Sequence, residues 1–327
     1  MQSLTRTLFA FGAFFAAISI FFAAPASAQS TRTWVSGTGD DINPCSRTAP
    51  CQTFAGAIAK TNAGGEINCL DAGGYGTVSI TKSITIDCTG TLGAILVPSG
   101  ALGVFINGAG INVVLRGLAI NGGPPGSSGV NGVVFVQGAS LTIIDSFIMN
   151  FTSTASVDPA NGIQFFPSTP AELKVVNTVI TNNRVGILVR PTSTTSGSAN
   201  VALDRVTVAT NIAEGLRIAT VNNSGPGVFA VVTNSAFTGN GTGIALVTPA
   251  GTNFAVAKLV NSTVSSNTGV GVLANGPTVR ADVSGSTITN NGTGVLAING
   301  SILLSYLDNL TDRNGVDGVF TGSVSKR

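Results

Sequence analysis

The side chains able to do chemistry in this chain are few and gathered. Arg184, Arg190, Asp204, Arg205, Glu214 and Arg217 fall close together in a sequence that is only 9% charged. Arg184, Arg190 and Arg217 are the candidate binding residues, because a guanidinium pairs bidentately with a carboxylate and could neutralise an acidic sugar. The weak catalytic candidates are Arg190 or Arg217 as base and Asp204 or Glu214 as carboxylate. A glycosidase needs two positioned carboxylates, so a solvated, self-compensating charge cluster is the plainer reading of the same residues.

Composition removes other chemistries. The 327 residues include no histidine, which excludes a Ser-His-Asp triad, a Cys-His dyad, histidine acid/base work and histidine metal sites. A net charge of +2, from 16 Lys+Arg against 14 Asp+Glu, leaves no basic stripe to follow a phosphate backbone, so nucleic acid is not an expected partner. With 43% hydrophobic residues the chain is too apolar to be disordered.

The start of the chain reads as an address. Arg6 supplies a positive n-region, Leu8 to Ala24 an apolar run, and Ala26-Ser27-Ala28 an A-x-A cleavage site ahead of Gln29. The expectation is a signal peptide over 1–28, cleaved after Ala28, a secreted or periplasmic location, and no membrane attachment afterwards. Four cysteines between positions 45 and 88 fit an oxidising compartment. The short loop between Cys45 and Cys51, with Pro44 and Pro50 beside them, favours Cys45–Cys51 with Cys69–Cys88 among three connectivities. A zinc site competes weakly, since no C-x-x-C spacing occurs.

From about residue 110 the sequence repeats. Glycine followed by an aliphatic residue recurs at Gly132, Gly162, Gly186, Gly215, Gly243, Gly269, Gly294 and Gly318, at intervals of 24 to 30 residues. The segments between are short, rich in Val, Ile, Thr and Ser, and punctuated by Gly and Asn, which reads as strand, turn, strand. Stacking such units about 4.8 Å apart puts like residues in columns. One column runs Asp145, Asn177, Asp204, Asn234, Asn261; another runs Asn183, Asn211, Asn240, Asn267, Asn291, Asn314. Asparagine suits these bends because it tolerates a left-handed backbone and its amide can bond to a stacked neighbour. With Ile187 and Val189 inward, Leu188 and Arg190 point outward and Arg217 lies beside Leu188 one turn later. The outward column then reads Val134, Gln164, Leu188, Arg217, Ala245, Gly271, Leu296, Phe320. An apolar outer face of this kind is covered by loops or by another chain.

On these repeats and asparagine columns the chain resembles right-handed parallel β-helices of the pectin-lyase-like superfamily, over roughly residues 33 to 320. The resemblance implies an all-β solenoid of about eight to ten coils with a short N-terminal capping helix, in which Phe54 and Ile58 share a face and Gly64-Gly65 end the helix. It divides the chain into the signal peptide, an N-terminal segment and capping helix over 29–65, coils over 66–322 and a tail over 323–327. The superfamily holds lyases, hydrolases, tailspikes and adhesins, so fold does not give function. Its hydrolase pattern needs an Asp pair in a rung and a G-H-G, whereas Asp40-Asp41, the one adjacent acidic pair, precedes the helix. Its lyase pattern needs an R-x-P-x-x-R motif and stacked carboxylates for Ca²⁺, and Arg190-Pro191 is not that motif. The leading expectation is therefore a non-catalytic, carbohydrate-binding or matrix β-helix without cofactor. A lyase or hydrolase of acidic, uronate-containing polysaccharide is the alternative, with Ca²⁺ entering only under the lyase reading, and an adhesin-type structural protein is the third.

Overall fold

The computed structural model describes residues 29–153, 160–192, 197–220, 225–249 and 253–325; the expected signal peptide lies outside them. Three sheets of twelve, nine and ten strands form a solenoid of about nine turns, each turn adding one strand to each sheet. Strands pair in parallel with the strand three places on, as Ile163 does with Ile187, Ile187 with Leu216, and Leu216 with Ile244. Alternation within strands of two to nine residues sets one side inward. The stacked Val, Ile and Leu columns that result are buried through the whole length. Each such side chain stabilises the stack by about 1.5–3 kcal/mol through loss of apolar surface to water.

Polar residues close the turns. In the buried asparagine column, Asn183, Asn211, Asn240, Asn267 and Asn291 each accept with Oδ1 from the backbone N–H one turn earlier. Their Nδ2 groups donate to the next amide, as from Asn211 to Asn240 at 2.8 Å. The left-handed residue is the one before the ladder member: Asn182, Thr210, Gly239, Ser266 and Asn290 all have positive φ. A second ladder, of hydroxyls, closes the other bend, with Ser235 and Ser262 accepting from Val206 and Ser235 N–H.

Two column assignments differ from the sequence expectation by a short slip. Val176 pairs with Asp204, so the left-handed column is Asp145, Asn177, Arg205, Asn234, Asn261, with Arg205 at φ 53° where Asp204 was expected. Ile244 pairs with Val272, which makes Gly271, not Gly269, the repeat glycine. A Cβ on Gly243 would lie 2.6 Å from the carbonyl oxygen of Gly271, and the contact recurs up the stack, so this column has no room for a side chain. Gly318 lies beyond the last repeat glycine, Gly294, whose Cβ would meet Asp317. Leu273, not Gly271, continues the outward column.

At the N-terminal end a helix spans Phe54–Lys60, started by Thr53, whose hydroxyl accepts from Gly56 N–H. It stops at Thr61, and Gly64-Gly65 lie inside the strand Thr61–Cys69 that follows. Disulfides join Cys45 to Cys51 and Cys69 to Cys88, with Cα separations of 4.7 and 4.8 Å.

Candidate functional site

The outer face of the nine-stranded sheet gathers most of the charged candidates. Leu188 is in register with Gln164 on one side and Arg217 on the other, and Arg217 with Ala245. Near the repeat glycine the alternation breaks. Asn161, Val185, Glu214 and Thr242 therefore form a second column on the same side, which is how Glu214 reaches Arg217 three residues later at 2.5 Å. Past the strand ends a third column begins, where the Arg190 guanidinium lies 4.2 Å from the centre of the Phe166 ring.

These columns make an apolar floor with a cationic rim. Phe166, Val185 and Leu188 form one cluster and are only 9, 7 and 4% exposed, although they lie on the outside of the solenoid. Ala213 packs against them. The rim is Arg190, Arg217 and Glu214, with the Gln164 Oε1 accepting from Asn161 Nδ2 at 3.3 Å.

The remaining candidates stand apart. Arg184 occupies the turn just before Val185; its backbone N–H donates to Phe151 and Ala160 carbonyls and its side chain is exposed. Asp204 ends the strand Ser198–Asp204 of the twelve-stranded sheet, where it pairs with Arg205 at 2.5 Å. Hydrogen bonds from Asn234 and Thr233, then the nearby Arg205 and Lys174 charges, outweigh burial and hold its carboxyl below the usual range. Asp204 is thus a persistent anion on another face, and Glu214 is the carboxylate beside Arg217. Among the described residues no three or more Asp, Glu, Cys or His side chains come together to hold a metal ion.

Phe166, Val185 and Asn161 escape the sequence reading. Strand alternation from Gln164 reaches Phe166, but nothing in the sequence marks the break that turns Val185, Asn161 and Glu214 outward.

No family model and no curated protein matches this chain. Among solved structures, the pectate lyase Pel9A superposes with a TM-score of 0.64 at 17% identity, over 92% of this chain and 80% of that one. The chain has the right-handed parallel β-helix fold of that lyase. Looser likenesses to this β-helix are the Dettilon tailspike protein, with a TM-score of 0.49 at 14% identity over 89% of this chain and 68% of that one, and a rhamnogalacturonan lyase, with a TM-score of 0.44 at 12% over 84% and 72%. At these identities the likeness is one of fold.

Proposed function

We propose that this β-helix is an exported protein that binds acidic polysaccharide on the outer face of its nine-stranded sheet, without turning it over. The observation that carries this is that Arg190, seated on the Phe166 ring, and Arg217, held by Glu214, come out on the same outer face beside the closed Phe166–Val185–Leu188 cluster. A uronate carries a carboxylate at the edge of its ring, and the two guanidinium groups are complementary to it. Two disulfides support a location outside the cytoplasm, as does the expected signal peptide.

A lyase is the second reading, favoured by Glu214 standing against Arg217 on the same face. Titrating a panel of acidic and neutral polysaccharides separates the two. A binder retains uronate polymers over neutral ones, loses them as salt rises because a partly exposed site is screened within about 8 Å, and releases no product. The ultraviolet absorbance of unsaturated uronate ends, growing with time, would move the assignment to a lyase. Equal retention of neutral polymers would refute the charge-based reading.

A further inference from the structure

The twelve-stranded sheet presents an outer face that the reading above leaves unused. Five consecutive strands stack there in register. One outward column runs Glu172, Asn200, Phe229, Val256, Arg280 and its neighbour runs Lys174, Ala202, Val231, Lys258, Asp282. At the centre Phe229 and Val231 are 45 and 46% exposed, and Phe254, 42% exposed, meets Phe229 edge-on at 5.4 Å. Three large apolar side chains open to water, two of them on one strand and Phe254 just before the next, are a patch rather than the scattered single exposures of an ordinary surface.

The charges around that centre are arranged symmetrically. Two rungs before Phe229 and Val231 stand Glu172 and Lys174; two rungs after stand Arg280 and Asp282. Within one copy, Arg280 holds Asp282 through Nε at 2.9 Å and a second nitrogen at 3.1 Å, and Lys174 lies near enough to Asp204 to lower its pKa.

We propose that this face is a docking surface for a second copy of the same chain, centred on the Phe229–Val231 rung. A face-to-face pair has its two-fold axis between the sheets, and the interface is isologous. Asp282 is only 4% exposed and held by its own Arg280, so it stays within one copy. With the axis along the strands, rung order reverses and Glu172 meets the second copy's Arg280; with the axis along the solenoid, each rung meets itself reversed and Glu172 meets Lys174. Both operations oppose unlike charges, put Lys258 against a neutral residue, and bury Phe229 and Val231 at the centre. Complementarity of this kind fixes register and rejects other partners.

The size of the patch sets the strength. Five rungs at about 4.8 Å by six residues at about 3.3 Å span roughly 480 Å² per copy. The two copies together bury about 950 Å², below the ~1,200 Å² of stable interfaces, so the dimer is weak and dilutes apart. It leaves the nine-stranded face open, so failure of one proposal does not affect the other.

Sedimentation velocity of the purified protein over a concentration series tests it. The wild type should show monomer–dimer exchange in the micromolar range, weakening as salt rises. Phe229→Asp and Glu172→Arg should each raise the dissociation constant at least tenfold, with the far-UV spectrum unchanged. All four native cysteines are in disulfides, so an added thiol reports proximity. Val231→Cys, close to the axis under either operation, should give a covalent dimer on mild oxidation, whereas Thr238→Cys, on the same turn but in the ten-stranded sheet, should not. A wild type that stays monomeric at ~100 µM, Phe229→Asp associating as the wild type does, or equal cross-linking through both thiols would overturn the proposal.

Discussion

Replacing Asn240 by Ala tests the physical basis of the stack. Asn240 is fully buried. Its Oδ1 accepts from Asn211 N at 3.0 Å and Asn211 Nδ2 at 2.8 Å, and its Nδ2 donates to Asn267 Oδ1 and to Val208 O, both at 3.1 Å. Alanine removes all four bonds. Two of the former partners keep others: Asn211 Nδ2 still faces Ile180 O at 3.4 Å, and Asn267 Oδ1 still accepts from the residue 240 N–H at 2.9 Å. The Asn211 backbone N–H is left without its ladder acceptor. One stranded buried donor costs about 1–3 kcal/mol and the remaining lost bonds about 1 kcal/mol net together, so the expected destabilisation is about 2–4 kcal/mol. Asn182→Ala is the comparison. Its exposed amide makes one bond, to Asn150 Oδ1 at 2.6 Å, and its φ is 55°; that substitution should cost about 1–2 kcal/mol from the left-handed backbone. Guanidinium unfolding followed by far-UV dichroism gives both values, with hydrogen exchange at residues 206–244 locating the loss. If Asn240→Ala costs no more than Asn182→Ala, the buried ladder is not what holds the turns in register.

Thr210 is a β-branched residue at φ 53°, so Thr210→Asn should raise stability by about 1 kcal/mol in the same unfolding assay. Gly215→Ala places a Cβ 2.7 Å from the Gly243 carbonyl oxygen and 3.0 Å from Asn240 Nδ2; overpacking of this kind should cost about 1–3 kcal/mol. Reducing Cys69–Cys88, a loop of sequence separation 19, should remove about 3 kcal/mol locally and expose residues 33–75 to hydrogen exchange before the central turns. Hydrogen bonds from Ser36, Gly37 N–H and Tyr75 hold the Asp71 carboxyl below its usual value. With the folded pKa depressed, its contribution is complete above the unfolded value and disappears as the pH falls through the folded one, so protection at Gly37 and Tyr75 should fade below about pH 4.

Much of this fold is legible in the sequence because a solenoid repeats its solution. Gly132, Gly162, Gly186, Gly215 and Gly243 mark one turn each, since every one faces the next glycine's carbonyl, and Asn183 to Asn314 mark the ladder that closes it. The failures occur where two neighbouring residues compete for one role. Gly269 and Gly271 both precede valine, and only strand pairing with Gly243-Ile244 selects the second. Asp204 has the right chemistry for the left-handed bend, yet Arg205 takes it because Asp204 closes the strand against Val176. The candidate site was legible only in part: period-two reasoning placed Leu188, Arg190 and Arg217 together, but not Glu214, whose position depends on the break in alternation beside Gly215. The exposed Phe229–Phe254 pair gave no sequence signal, since Phe254 comes from a loop whose course strand periodicity does not describe.

The central claim, that the nine-stranded face recognises acidic polysaccharide through its arginines, is tested most directly by calorimetric titration of an oligouronate into the wild type and into Arg190→Ala/Arg217→Ala. The double variant should keep the wild-type far-UV spectrum, because both side chains lie outside the core, and lose roughly 1.5–3 kcal/mol of binding, the range for hydrogen bonds to charged groups. Undiminished affinity in the double variant would contradict the account and reduce the Arg190–Phe166 and Arg217–Glu214 contacts to surface structure.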